Sequence, residues 1–139
     1  MILLDTSGLL AWIDAGQRRH AEVAAAMLSI APPFVLSPFV LAEIDYLLAE
    51  RVSPAAERAL LSEVEGGAFE LPAFDATDIA AALSVIERFS DLSIGLADAS
   101  LVVLSERYRT GTLLTLDERH FRALRGHRGR SFELIPVSR

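Results

Sequence analysis

Met1-Ile2-Leu3-Leu4-Asp5-Thr6-Ser7 decides the fold. A short apolar run delivers one carboxylate at its end, and Thr6 and Ser7 then offer hydroxyls able to start a helix. As the first element of an α/β chain this reads as a central buried strand, with Asp5 where the strand gives out. The pattern returns downstream. Phe34-Val35-Leu36 is a short strand, and Ser37-Pro38 opens the next helix with a cap followed by Pro in its first turn. Thr112-Leu113-Leu114-Thr115-Leu116 is a strand ending at Asp117, and Phe132-Glu133-Leu134-Ile135 closes as another. Phe69-Glu70-Leu71 also reads as a short strand.

Between the strands, apolar spacing predicts helices. One follows Thr6 and breaks near Gly16, and a second spans residues 18–30 until Pro32-Pro33 ends it. A third runs to about Arg51 on a stripe of Val40, Leu41, Ile44, Leu47 and Leu48, with Glu43 at the stripe's border. Ser53-Pro54 caps a fourth that Gly66-Gly67 stops, and Asp75 or Thr77 begins a fifth with Ile79, Ala82, Leu83, Ile86 and Phe89 on one face. Residues 90–98 read as a loop leading into an apolar helix over residues 99–108.

Strands alternating with helices imply an α/β fold, a mostly parallel central sheet with helices on both faces. At 139 residues the chain is expected to form a single domain over residues 1–139, with no internal repeat. No run approaches the roughly 18 apolar residues that span a membrane. The start lacks the basic region of a signal peptide, which points to a cytoplasmic protein. With no cysteine there is neither a disulfide nor a thiolate zinc site. A hydrophobic fraction of 52% is high, and surplus apolar surface suits a partner or a second copy, although Ala and Leu in buried helices give the same average.

In parallel sheets ligands bind beyond the carboxyl ends of the strands. Asp5 and Asp117 follow strands, Asp98 opens a helix, and Glu43 lies in the second turn of a helix that follows a strand. The topology therefore brings all four to one sheet edge. Singly, each also reads as a cap or a surface acid. Together they repel and raise one another's pKa unless a cation neutralises them. The chain has no lysine to do so, and a carboxylate set without Cys or a clear His partner suits Mg²⁺ (or Mn²⁺) rather than zinc. Such clusters serve phosphoryl transfer, by lowering the pKa of an attacking water and neutralising charge on the phosphate. An aspartyl phosphatase would want a second acid two residues after Asp5, and neither a glycine-rich phosphate loop nor a Gly-x-Ser-x-Gly elbow is present.

The net charge of −6 sits awkwardly with a nucleic-acid partner. Its distribution matters more. All thirteen basic residues are Arg, and Arg119, Arg122, Arg125, Arg128 and Arg130 crowd a dozen positions beside His120 and His127. That segment is either a solvated surface or a phosphate-binding rim, in which Arg119 and Arg122 steer a backbone toward the acids.

Leu3-Leu4-Asp5-Thr6-Ser7, Ser37-Pro38-Phe39-Val40-Leu41-Ala42-Glu43-Ile44, Gly95-Leu96-Ala97-Asp98-Ala99-Ser100 and Leu114-Thr115-Leu116-Asp117-Glu118-Arg119-His120-Phe121 together resemble the successive acidic motifs of PIN-domain ribonucleases. The ordered set is most similar to the VapC toxins of bacterial VapBC toxin–antitoxin pairs, over nearly the whole chain. The resemblance implies a metal-dependent endoribonuclease that cuts RNA such as tRNA or rRNA. It implies a cognate VapB-type antitoxin as inhibitor, a homodimer that forms a heterotetramer or larger assembly with it, and operator DNA bound only through the antitoxin. Carried over by position, Asp5, Glu43, Asp98 and Asp117 would be the catalytic, metal-coordinating acids, with Thr6, Ser7 and Thr115 as supporting hydroxyls. One ion would sit on Asp5 and Asp98, completed by Glu43, and Asp117 would hold a second, weaker one. Asp91 recurs in the stretch before the third motif and reads first as structural. Trp12 and the first two helices offer apolar surface for an antitoxin segment. The rival readings are a housekeeping RNA-processing nuclease and a non-catalytic protein-binding module of the same fold.

Overall fold

The structure, a computed structural model, describes residues 1–137. Its sheet holds four strands: β1 (Ile2–Leu4), β2 (Phe34–Val35), β3 (Thr112–Leu114) and β4 (Glu133–Ile135). They lie in the order β2-β1-β3-β4, every neighbouring pair parallel. Ile2, Leu3, Leu4, Val35, Leu113 and Leu114 are all fully buried. Successive strand residues point to opposite faces, so a strand buried at every position is covered on both sides. That is why β1 reads as an unbroken apolar run and β3 carries adjacent leucines after Thr112, rather than alternating patterns.

Among the described residues seven helices supply the cover: α1 (Thr6–Ile13), α2 (His20–Met27), α3 (Pro38–Arg51), α4 (Pro54–Glu65), α5 (Ala76–Arg88), α6 (Leu96–Tyr108) and α7 (Glu118–Ala123). Their starts follow local chemistry. Ser37 and Ser53 accept from the amides of Phe39 and Ala56, each with Pro in the first turn behind it. Asp75 and Asp78 bond reciprocally to each other's backbone N–H, a capping box with Asp in place of the usual Glu. Gly66 ends α4, and Gly67 follows in the left-handed region at φ 89°.

Several boundaries differ from the sequence reading. Residues 69–71 do not form a strand: only Glu70 pairs, bridging Val35, with its N–H on the Phe34 carbonyl and its carbonyl on the Leu36 amide. The second helix is shorter than residues 18–30, and β3 stops at Leu114 instead of Leu116. In the stretch read as a loop, Ser90–Leu92 makes a 3-10 turn, and α6 begins at Leu96 rather than Ala99. Gly95 occupies the cap position, which places Asp98 inside the first turn and removes its capping role.

Strand β1 sits at the switch point. The chain leaves it for β2 on one side, and β3 pairs on the other. The crevice that opens there, beyond the strand ends, is where open parallel sheets bind ligands.

Candidate metal and catalytic site

Asp5 follows β1 directly, its amide bonded to the Leu114 carbonyl at 2.9 Å, so the β1–β3 pairing carries the residue into the crevice. Beyond the adjacent Thr6 N–H its side chain makes no capping hydrogen bond into α1, which leaves the carboxylate for other work. Its Oδ2 accepts from the Thr115 hydroxyl at 2.7 Å and from the Ser7 hydroxyl at 2.8 Å. Each hydroxyl has one proton, and both are spent on Asp5, so the 3.3 Å approach between Ser7 and Thr115 is a neighbour contact. As acceptors the same hydroxyls organise the β3–α7 turn: Ser7 Oγ takes the Leu116 amide and Thr115 Oγ1 the Asp117 amide, each at 2.9 Å. The two hydroxyl residues thus bind Asp5 to the turn that presents Asp117. Burial pushes the Asp5 carboxyl up, against the lowering effect of Thr115, Ser7 and the Thr6 N–H, and the nearby Asp117 charge raises it further.

Glu43 stands exposed in the second turn of α3, where Thr6 donates to its Oε1 at 2.7 Å and ties α1 to α3 across the mouth of the site. Asp98 projects from the first turn of α6. Its carboxyl is raised to about 6, first by burial and then by the charge of Asp5, with His120 acting in the opposite direction and Asp117 and Glu43 adding to the rise. Asp117 caps α7, its Oδ1 accepting from the His120 amide. Capping uses only Oδ1, so Oδ2 stays open to the cavity that Asp117 lines.

Asp5, Glu43, Asp98 and Asp117 line one cavity of about 460 Å³, together with Thr6, Ser7, Leu10, Tyr46 and Leu47. The expected acids and two of the three expected hydroxyl residues converge there, and Thr115 stands just behind. Arg119 and Arg122 do not line it. Arg122 pairs with Glu118 at 3.2 Å, and Arg125 folds its guanidinium onto the carbonyls of Arg122, Ala123 and Leu124 at the end of α7. Asp91 lies exposed in the 3-10 turn and takes no part in the cavity lining. Trp12 is half buried and meets Phe34 edge to face, so much of its ring is spent on packing.

Two residues at the site escaped the sequence reading. His120 Nδ1 lies 3.1 Å from Asp117 Oδ2 and 3.3 Å from Asp98 Oδ2. Tyr46, 64% exposed, forms part of the cavity wall. Each sits three residues along a helix from a site acid (Asp117 to His120, Glu43 to Tyr46), the spacing that puts side chains on one face. That spacing was the available signal.

The donor set fits a divalent cation. Four carboxylates raise one another's affinity for protons, and positive charge at their centre relieves that repulsion. Among the described residues no three His, Cys, Asp or Glu stand in a ready-made metal cluster. The reason is visible in the bonding: Glu43 is held by Thr6, Asp5 Oδ2 by two hydroxyls, and like charges keep the remaining oxygens apart. Asp5, Glu43, Asp98 and Asp117 are the residues that would hold such an ion.

Comparison with known proteins bears on the family and the fold. The PIN domain family matches residues 2–126. The chain is 49% identical over 135 residues to Ribonuclease VapC26 of Mycobacterium tuberculosis, covering 97% of this chain and 100% of that protein. The crystal structure of Mycobacterium tuberculosis VapC20, described as a Sarcin-Ricin loop cleaving toxin, matches with a TM-score of 0.79 at 21% identity, over 86% of this chain and 92% of that one. VapBC2 from Rickettsia felis, bound to a DNA fragment from its promoter, matches with a TM-score of 0.67 at 17% identity, over 96% and 98% of the two chains. At those identities the structures speak for the fold alone.

Proposed function

The chain belongs to the PIN-domain family and, within it, to the VapC ribonucleases, and from that premise we propose that it is a metal-dependent endoribonuclease acting as the toxin of a toxin–antitoxin pair. One observation carries the reading: Asp5, Glu43, Asp98 and Asp117, drawn from four separate elements, line a single cavity at the switch point of the sheet. Asp5 and Asp98 would hold the principal ion, Mg²⁺ or Mn²⁺, with Glu43 completing the site and Asp117 at its other side. When bound, the ion supplies an activated water and neutralises charge on the phosphate and leaving oxygen.

The chain's own residues do the positioning. Thr115 and Ser7 hold Asp5 in one orientation, so the carboxylate is placed before substrate arrives. Glu43 stands at the mouth, where its carboxylate can leave the Thr6 hydroxyl to orient a water for in-line attack on the phosphodiester. Leu10, Leu47 and Tyr46 make an apolar wall beside the acids, and the Tyr46 ring offers a face for an unstacked base. Single-stranded RNA, whose bases splay out, suits this combination better than a duplex.

The partner follows from membership of the VapC ribonucleases: this chain takes a VapB-type antitoxin, as a homodimer within a larger assembly that meets operator DNA only through the antitoxin. Two structures of the same fold are in keeping with that, one a toxin–antitoxin complex from Klebsiella pneumoniae and one VapBC2 bound to a DNA fragment from its promoter. No helix among the described residues is long and apolar enough to cross a membrane, in keeping with a cytoplasmic setting.

RNA cleavage by the purified chain in Mg²⁺ or Mn²⁺, against EDTA and against an Asp5→Asn, Asp98→Asn double variant, tests the proposal. Metal-dependent cutting lost in the double variant is expected. Cutting that survives in EDTA or in the well-folded double variant overturns it.

A further inference from the structure

His120 belongs to no function assigned so far. Its Nδ1 is buried from solvent, and although carboxylate oxygens lie 3.1 and 3.3 Å away, neither approach has the angles of a hydrogen bond. A buried ring nitrogen aimed between two acids without bonding either one is costly unless something else takes its lone pair. The other two histidines differ. His20 Nδ1 meets the Ala11 carbonyl at 2.8 Å and His127 Nδ1 meets Glu106 at 3.1 Å, both as ordinary hydrogen-bond partners.

The spacing identifies what would take it. Metal–ligand bonds of about 2.1–2.2 Å put adjacent ligands of an octahedral ion about 3.0–3.1 Å apart, and a flatter or larger shell widens that slightly. The separations of His120 Nδ1 from Asp117 Oδ2 and Asp98 Oδ2, 3.1 and 3.3 Å, lie near those of neighbouring ligands around one ion, although the three do not form a ready-made cluster without it. The helix explains how the ring arrives there. Asp117 spends Oδ1 on the His120 amide, which starts α7 and leaves Oδ2 facing the ring. The acid and the imidazole are therefore positioned by the same turn.

We propose that His120 is a metal ligand of this site, its Nδ1 joining Asp98 Oδ2 and Asp117 Oδ2 on one ion, and that this nitrogen biases the centre toward Mn²⁺ over Mg²⁺. The inference deepens the nuclease reading and rests on it. Imidazole is a softer donor than carboxylate and suits transition ions, while Mg²⁺ keeps to oxygen and to its waters. An all-carboxylate cradle would have little such preference. With His120 in the shell, the position beside Asp117 is the one that discriminates between the two ions.

Pulsed electron paramagnetic resonance on the Mn²⁺-loaded chain reads the bond directly, because a coordinated imidazole nitrogen modulates the electron spin echo. The expected result is nitrogen modulation that changes when the chain is made with ¹⁵N-histidine and disappears in His120→Ala, with His20→Ala and His127→Ala unaffected. The labelled wild type needs no substitution, so the measurement stands even if His120→Ala does not fold. Calorimetric titration should show His120→Ala losing roughly tenfold in Mn²⁺ affinity and much less in Mg²⁺ affinity. Bound Mn²⁺ with no histidine coupling in the wild type overturns the ligand assignment and leaves the nuclease reading standing. A chain that binds no Mn²⁺ at all overturns both.

Discussion

Asp98 shows what the site asks of a single residue. Its carboxyl is held near 6 in the folded chain against an ordinary 3.8, first by burial and then by the charge of Asp5. The folded state therefore binds this proton more tightly than the unfolded chain. On this account stability is greatest below about pH 4, is lost as pH rises toward 6, and stays lost above that. Two units correspond to about 3 kcal/mol at full strength; with a side chain still 20% exposed to solvent, on the order of 1–2 kcal/mol is the discounted figure. Asp98→Asn should accordingly stabilise the metal-free chain at pH 7 while abolishing cleavage. Thermal unfolding of both proteins in EDTA from pH 4 to 8 checks it: the gap should open between pH 4 and 6 and then stay level. A gap independent of pH would mean that Asp98 is not the strained acid. Adding Mn²⁺ should then raise the midpoint of the wild type more than that of the variant, since ligands stabilise the state that binds them.

Among the elements, what the sequence could and could not disclose follows from how local each signal is. Strands β1 and β3 are legible because stretches buried on both faces carry adjacent apolar residues, Ile2-Leu3-Leu4 and Leu113-Leu114, and helix starts are legible wherever Ser, Asp and Pro announce them. The Phe69–Leu71 stretch misled, because pairing at a sheet edge depends on what lies beside it, and only Glu70 reaches β2. Asp5 and Asp98 could be ranked only as acids at ends of elements; their union across β1 and α6 is tertiary. Gly8 is a case that no propensity reveals. It lies in the first turn of α1, within a helix, where glycine normally costs stability. A Cβ there would stand 2.7 Å from Leu114 Cγ and 2.8 Å from the Leu114 carbonyl carbon and oxygen. Helix α1 thus rests directly on the end of β3, which is how Thr6 and Ser7 come within reach of Glu43 and Asp5. Gly8→Ala must push α1 off the strand, costing about 1–3 kcal/mol and loosening both hydroxyl contacts together. Urea unfolding and a cleavage assay should fall in parallel. A Gly8→Ala chain with native stability would show that the α1–β3 contact yields more easily than its backbone atoms suggest.

Over the whole molecule, the awkward quantity is charge. A net −6 with an acidic cavity repels a polyanion, so any attraction for RNA has to come from the uneven placement of arginines. The sequence crowds five of them into residues 119–130, but the folded chain spends them unequally. Arg125 covers the carbonyls at the end of α7 and Arg122 pairs with Glu118, whereas Arg119 is exposed, with no ion pair to it among the described residues. Arg119 also lies on α7 two residues past Asp117, on the segment that presents that acid to the cavity. We propose it as the arginine that meets a phosphate of the substrate RNA. Removing one cation from a phosphate of single-stranded RNA makes the slope of log affinity against log salt shallower by about 0.7. Arg119→Ala should show that change in binding titrations run in EDTA, where nothing is cut. Arg125→Ala should keep the wild-type slope and lower thermal stability instead, because its cation serves α7 and not the ligand. The pair separates steering from scaffolding within one short segment. An Arg119→Ala slope equal to wild type would take Arg119 out of the RNA path and leave the attraction to other arginines and the apolar wall.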